Sequence, residues 1–268
     1  LWLAQTWKAA LLLDGILAAG AATIIFITGR RHSVLAGFIA STLFLNGFVT
    51  VFVVNEFWNP SYLPLFDTLL IAIFSGPLNR RRIAVAGLIL GLTLQIHYSQ
   101  LHFLVAGLLF LALDSSIEAK SKLRSVAIFL AAVLTPLIPY LIWSSVGEGD
   151  GTTMFGALST LASNYVTGGT VSSFHWWVPH IAMQDIFLVP TVITWLFFRP
   201  RLAGLPRFLT ILFFVSLPIW LRIEEHNLRN ALPAFVAFAG LAGVVLAEAF
   251  EGRPSRRYLW IGLAVTAL

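Results

Sequence analysis

The chain has 268 residues, 58% of them hydrophobic and only 11% charged, which excludes an ordinary soluble domain and fits a bundle of membrane helices. Its net charge of +5 does not point to nucleic acid, because the basic residues are split among separate short stretches at helix ends. There is no cysteine, so disulfides and thiolate metal sites are excluded and the redox compartment cannot be read.

In chain order, apolar segments run over roughly 9–29, 34–54, 62–76, 83–97, 98–114, 126–144, 181–198, 207–222, 231–250 and a partial 258–268. The expected fold is all-α: a polytopic transmembrane helix bundle of about nine complete spans plus a partial tenth. Residues 83–114 are long for one span and read better as two short helices meeting near His97–Gln100. Gly87 and Gly91 form a GxxxG, which favours close helix packing there. Residues 145–180 read as an extracytoplasmic loop rich in Gly, Ser and Thr, with Trp176 and Trp177 suited to the headgroup boundary. The whole of 1–268 is expected to be one transmembrane domain. It begins at Leu1 without Met, and its last apolar run, Tyr258–Leu268, reaches only about 16 Å as a helix. A fragment of a longer chain is therefore expected, with segments both upstream and downstream.

Fourteen of the 17 Lys and Arg residues fall in five stretches: Arg30–Arg31, Arg80–Arg82, Lys120–Arg124, Arg199–Arg207 and Arg253–Arg257. Basic loops remain cytoplasmic, so the opposite loops face outward, with only Lys8, Arg222 and Arg229 as cations there. Those outer loops hold three polar clusters. The first is Asn55-Glu56-Phe57-Trp58-Asn59-Pro60-Ser61-Tyr62, where Asn59 reads as an N-cap and Pro60 as a first-turn residue. The same helix start, with Asn and Glu beside it, is also suited to positioning an anionic or hydroxyl-rich ligand. The second, Gln95 to His102, places hydrogen-bonding side chains between two apolar helices. It is either a polar interfacial turn or the lining of a wet cavity. The third, Glu224-Glu225-His226-Asn227-Leu228-Arg229-Asn230, is a solvated loop or part of the same site. Asp14, Asp67 and Asp185 lie in or beside apolar segments, where a carboxylate is either functional or held by structural hydrogen bonds.

Walker A, GxGxxG, HExxH and GxSxG motifs are absent. His175 and His180, five apart with Pro179 between them, make a poor helical metal pair, and no metal site is assigned.

Three stretches resemble the membrane-embedded GT-C glycosyltransferases, in the branch of protein O-mannosyltransferases and the aminoarabinose transferase of lipid A. They are Asn55 to Phe66, Gly87 to His97, and His226-Asn227-Leu228-Arg229-Asn230-Ala231-Leu232-Pro233. His97 falls where that family often has Lys, and Arg229 falls at the Arg of its Arg-Tyr-Leu-Leu-Pro. Asn59 stands where Asp is frequent. The likeness runs from about Ala10 to Ala249. It implies a membrane glycosyltransferase that moves a sugar from a polyprenyl-phosphate donor to a lipid, glycan or protein acceptor at the extracytoplasmic face of a bacterial inner membrane. On this resemblance the main catalytic acid lies upstream of Leu1, and Glu56 is the carboxylate base candidate within the chain. His97, Arg229, Asn59, Gln95, Tyr98 and His226 are the substrate-binding candidates. The donor is the only cofactor-like group implied, and a divalent metal is left open. Alternatives are a transporter or flippase of lipid-linked sugars, an O-antigen polymerase or ligase, and a non-catalytic scaffold. A transporter would place polar groups through the membrane depth, often in repeated halves, whereas here they crowd one face.

Overall fold

A computed structural model of the chain describes residues 7–46, 59–114, 119–146, 205–220 and 232–251. All regular structure among them is helical. The helices are α1 Trp7–Arg30, α2 Val34–Asn46, α3 Leu63–Phe74, α4 Arg80–Ile96, α5 Leu101–Leu113, α6 Ala119–Val146, α7 Leu205–Trp220 and α8 Leu232–Glu251. Short 3-10 turns, Asn59–Tyr62 and Tyr98–Gln100, directly precede α3 and α5.

Local chemistry sets several boundaries. Ser33 accepts from the Ala36 N–H at 3.1 Å and starts α2. Asn79 accepts from the Arg82 N–H at 3.0 Å and starts α4. His97 ends α4 in an extended conformation, so the apolar run 83–114 divides into two helices at the expected place. The start of α3 departs from expectation. Asn59 and Pro60 open a 3-10 turn, and the residue before the α-helix is Tyr62, with no side-chain cap. The reason is a second proline. Pro64 lacks an N–H for the Pro60 carbonyl and its ring clashes with that carbonyl, so the α-helix begins only at Leu63 with Pro64 in its first turn.

Small residues set the closest helix contacts. A Cβ on Gly87 would lie 2.6 Å from the Phe129 carbonyl oxygen, and one on Gly91 would collide with the Val133 carbonyl. The GxxxG of α4 therefore lies directly on the α6 backbone. Gly243 of α8 approaches the Ala36 carbonyl of α2 in the same way. Between these pairs, Phe74 stacks on Phe208 with centroids 4.5 Å apart, and Phe110 and Phe129 meet Phe74 edge-on. Every residue of α8 from Leu232 to Ala247 is buried, against α2, α7, α3 and α1.

The helix ends are sorted. Arg31 donates from Nη1 to the Ala72 carbonyl at 3.4 Å and to Ser75 Oγ at 3.3 Å, joining the α1–α2 connection to the end of α3. His32 meets Glu248 at 3.0 Å, which adds the end of α8. Lys122 Nζ donates to the Ala112 carbonyl at 2.9 Å, and Arg207 lies 3.9 Å from Asp114, so the start of α6, the start of α7 and the end of α5 adjoin. Phe74, Phe110 and Phe208 tie this group to the end of α3. Apart from Lys8 near the start of α1, the Lys and Arg residues of the described helices belong to this end. The turns at 59–62 and 98–100 lie at the other ends of α3, α4 and α5.

Around a mainly apolar core, several large apolar side chains face outward while some polar ones are buried. On α1, Leu12 is 66% exposed while Asp14 is 1% exposed. Leu130, Leu134 and Ile138 of α6 are likewise exposed, while Asp67, Thr93 and Gln100 are buried. Two helical stretches, Leu11–Arg30 and Ser121–Pro139, are long and apolar enough to cross a membrane. Five more apolar stretches of 10–17 residues lie in α2, α3, α5, α7 and α8. These stretches do not carry the count of about nine complete spans. The segments expected over 181–198 and 258–268, and the loop at 145–180 from residue 147 onward, lie outside the described residues.

Candidate functional site

The second polar cluster folds into a turn that buries Ser99, Gln100 and His102. α4 ends because His97 turns the chain, and Tyr98–Gln100 forms one 3-10 turn before α5. That turn carries Gln100 into the bundle, where it is fully buried. Its Nε2 donates to Asp67 Oδ1 at 2.7 Å. The Thr93 hydroxyl lies 3.3 Å from Gln100 Oε1 and 3.0 Å from the Leu90 carbonyl. A carboxylate oxygen accepts, so the NH2 side of Gln100 faces Asp67 and its carbonyl side faces the Thr93 hydroxyl. This chain of three side chains joins α3, α4 and the 98–100 turn. Asp67 Oδ2 has no hydrogen-bond partner among the described residues, which marks it as an acceptor held away from water.

His97 is held by its own turn. Its Nδ1 accepts from the Ser99 backbone N–H at 3.1 Å, with Ser99 Oγ at 2.9 Å. A neutral ring in this arrangement carries its proton on Nε2, which makes that nitrogen the donor. His102, two residues after the 3-10 turn, is buried in the first turn of α5. Gln95 goes elsewhere: it is exposed, and its Nε2 donates to the Pro136 carbonyl of α6 at 2.9 Å and to Gly91 at 3.4 Å. Gln95 is thus a tie between α4 and α6, and it does not join Gln100 and Asp67.

Asn59 opens the 3-10 turn that packs on α1 and α3, and Tyr98 opens the other 3-10 turn. Ser61 of the first turn and Asp14 of α1 are both buried and adjoin. Glu56, His226 and Arg229 lie outside the described residues, and so do Asp185, His175 and His180. α8 begins at Leu232, inside the third motif stretch, and packs against the 98–100 turn. Among the described residues no group of three or more His, Asp or Glu side chains is placed to hold a metal ion.

Sequence reasoning singled out Asp67 and Gln100 separately and missed their bond. It missed Thr93 as a polar partner altogether. The available signal was that each is a hydrogen-bonding residue flanked by apolar ones, in segments expected to be neighbours.

No protein-family model, curated protein or solved structure matches this chain. The GT-C likeness therefore rests on the sequence of the three motif stretches alone.

Proposed function

We propose that this chain is the membrane domain of a glycosyltransferase that moves a sugar from a polyprenyl-phosphate carrier to an acceptor at the extracytoplasmic face. One observation supports the reading: the described helices that begin in or follow the stretches resembling GT-C enzymes meet at the 98–100 turn. The Asp67–Gln100 bond ties the helix that starts in the first stretch to the turn that follows the second. The helix that starts in the third packs on that same turn. The opposite end holds the described cations other than Lys8, which suits a cytoplasmic side. The exposed apolar side chains of α1, α4 and α6 suit contact with lipid. A topology of about nine spans belongs to this reading, with short helices packed inside longer ones.

In the proposed reaction the acceptor oxygen or nitrogen forms a bond to the anomeric carbon. The bond from that carbon to the carrier phosphate breaks, and the polyprenyl phosphate leaves with the electron pair. Arg229 and the His97 Nε2–H stabilise the charge growing on the phosphate. A carboxylate takes the acceptor proton: Glu56, or an acid upstream of Leu1. Asn59, Tyr98 and His226 bind the donor, and Gln95 acts through the α4–α6 contact.

The test is transfer by purified full-length protein in detergent. Transfer from the lipid-linked donor, and none from a nucleotide sugar without carrier, is the expected result. Arg229→Ala removes a charged hydrogen bond worth about 1.5–3 kcal/mol and should lower turnover roughly 10- to 150-fold. Direct use of a nucleotide sugar rejects the proposal. A second reading, transport of a lipid-linked sugar, is favoured by the buried carboxylates Asp14 and Asp67 within helices. Movement of sugar across proteoliposomes with no transferred product would select it.

A further inference from the structure

The arginines around the turn between α3 and α4 are of two kinds. Arg31 is occupied by the Ala72 carbonyl and Ser75, and Arg82 Nη1 donates to the Pro77 carbonyl at 3.3 Å. These two guanidiniums hold the turn. Arg80 and Arg81 are exposed, and neither has a hydrogen-bond or ion-pair partner among the described residues. The first turn of α4 contains no acidic residue, so two free guanidiniums sit at the positive end of the helix dipole. That placement is unfavourable without an anion.

The same helix supplies a second, independent feature. Val85, Leu88 and Leu92 are 46, 40 and 53% exposed. With Arg81 they follow a spacing of four, three and four, which puts all four on one stripe of α4. From Arg81 to Leu92 the stripe runs about 16 Å, close to half of a hydrocarbon core of about 30 Å. A cation at the head of an exposed apolar stripe one leaflet long matches an anionic headgroup with its acyl chain.

We propose that Arg80 and Arg81 bind the phosphate of an anionic phospholipid whose acyl chain lies along Val85, Leu88 and Leu92. The ligand is a membrane lipid and not a free anion, because the apolar stripe has no use for inorganic phosphate. The inference rests on the membrane placement proposed above and does not depend on sugar transfer.

The experiment is native mass spectrometry of the delipidated full chain in detergent, titrated with phosphatidylglycerol, phosphatidylcholine or inorganic phosphate. Phosphatidylglycerol should bind preferentially. Arg80→Gln with Arg81→Gln should weaken it about 25-fold, at about fivefold for each lost cation. Arg80→Lys with Arg81→Lys should retain most of the binding, since the charge is kept. Leu88→Asn should weaken phosphatidylglycerol while leaving its preference over phosphatidylcholine intact. Both arginines are exposed, so an unchanged melting temperature in the double variant shows that the fold is kept. Equal binding of the two lipids, competition by inorganic phosphate at matching concentration, or no loss in the double Gln variant overturns the proposal. Failure of sugar transfer with lipid binding intact would count against the proposed reaction alone.

Discussion

Gln100 answers two buried groups at once, and its removal exposes what each one needs. Replacing Gln100 with Leu leaves the Asp67 carboxylate buried with no donor on either oxygen, since Oδ2 already lacks one among the described residues. Replacing Asp67 with Leu leaves only a neutral amide without its acceptor. An orphaned buried polar group costs about 1–3 kcal/mol, and more when it is charged. Asp67→Asn keeps an oxygen for the Gln100 amide to reach. Melting of the purified protein in detergent should therefore rank Asp67→Asn nearest to wild type, then Asp67→Leu, then Gln100→Leu. If Asp67→Asn is as damaging as Asp67→Leu, the Gln100 bond is not what stabilises this region. None of this pairing could be read from the chain. Asp67 and Gln100 are 33 positions apart, and helical periodicity says which face a residue occupies, not which distant side chain it meets. The role of His97 as a turn-former is similarly hidden, because an imidazole accepting from the N–H two residues on leaves no compositional trace.

Helices were the most readable level. Apolar runs located α1 to α8, and the polar residues between Gln95 and His102 marked the break between α4 and α5 because they cannot all lie in lipid. Gly87 and Gly91 foretold a close approach, although not that α6 would be the partner. The α-helix of α3 starts later than the first-turn chemistry of Pro60 suggests, because the missing N–H of Pro64 decides where it begins. The same glycines give a paired test. A Cβ on Gly91 collides with the α6 backbone, whereas one on Gly15 of α1 meets nothing within 4 Å. Gly91→Ala should destabilise by about 1–3 kcal/mol through overpacking. Gly15→Ala should stabilise by up to about 1 kcal/mol through helix propensity. Thermal or denaturant unfolding in detergent measures both, and equal effects would show that α4 and α6 are not in close contact.

The whole molecule is ordered by its two ends. Short basic stretches predicted a shared end, and among the described residues the helix-end contacts of Arg31, His32, Lys122 and Arg207 lie together there. The positive-inside rule would put that end in the cytoplasm, which direct labelling tests. The chain has no cysteine, so single-Cys variants report cleanly. Asn46 at the end of α2 and Arg80 at the start of α4 are both exposed and belong to opposite ends. Asn46→Cys in intact cells should react with an impermeant maleimide, and Arg80→Cys should react only after lysis. The reverse pattern would invert the molecule and place the 59–62 and 98–100 turns in the cytoplasm.

The burial of α8 also bears on biosynthesis. It is the last described helix to leave the ribosome, yet it occupies the middle of the bundle and covers the small-residue face of α2. Translation delivers the centre after the periphery. Until then the Ala36 and Ala40 face of α2 lacks the helix that covers it, although Gly37 can already pack on α1. Covering that face depends on the arrival of α8, while neighbours such as α1 and α2 can pair before it.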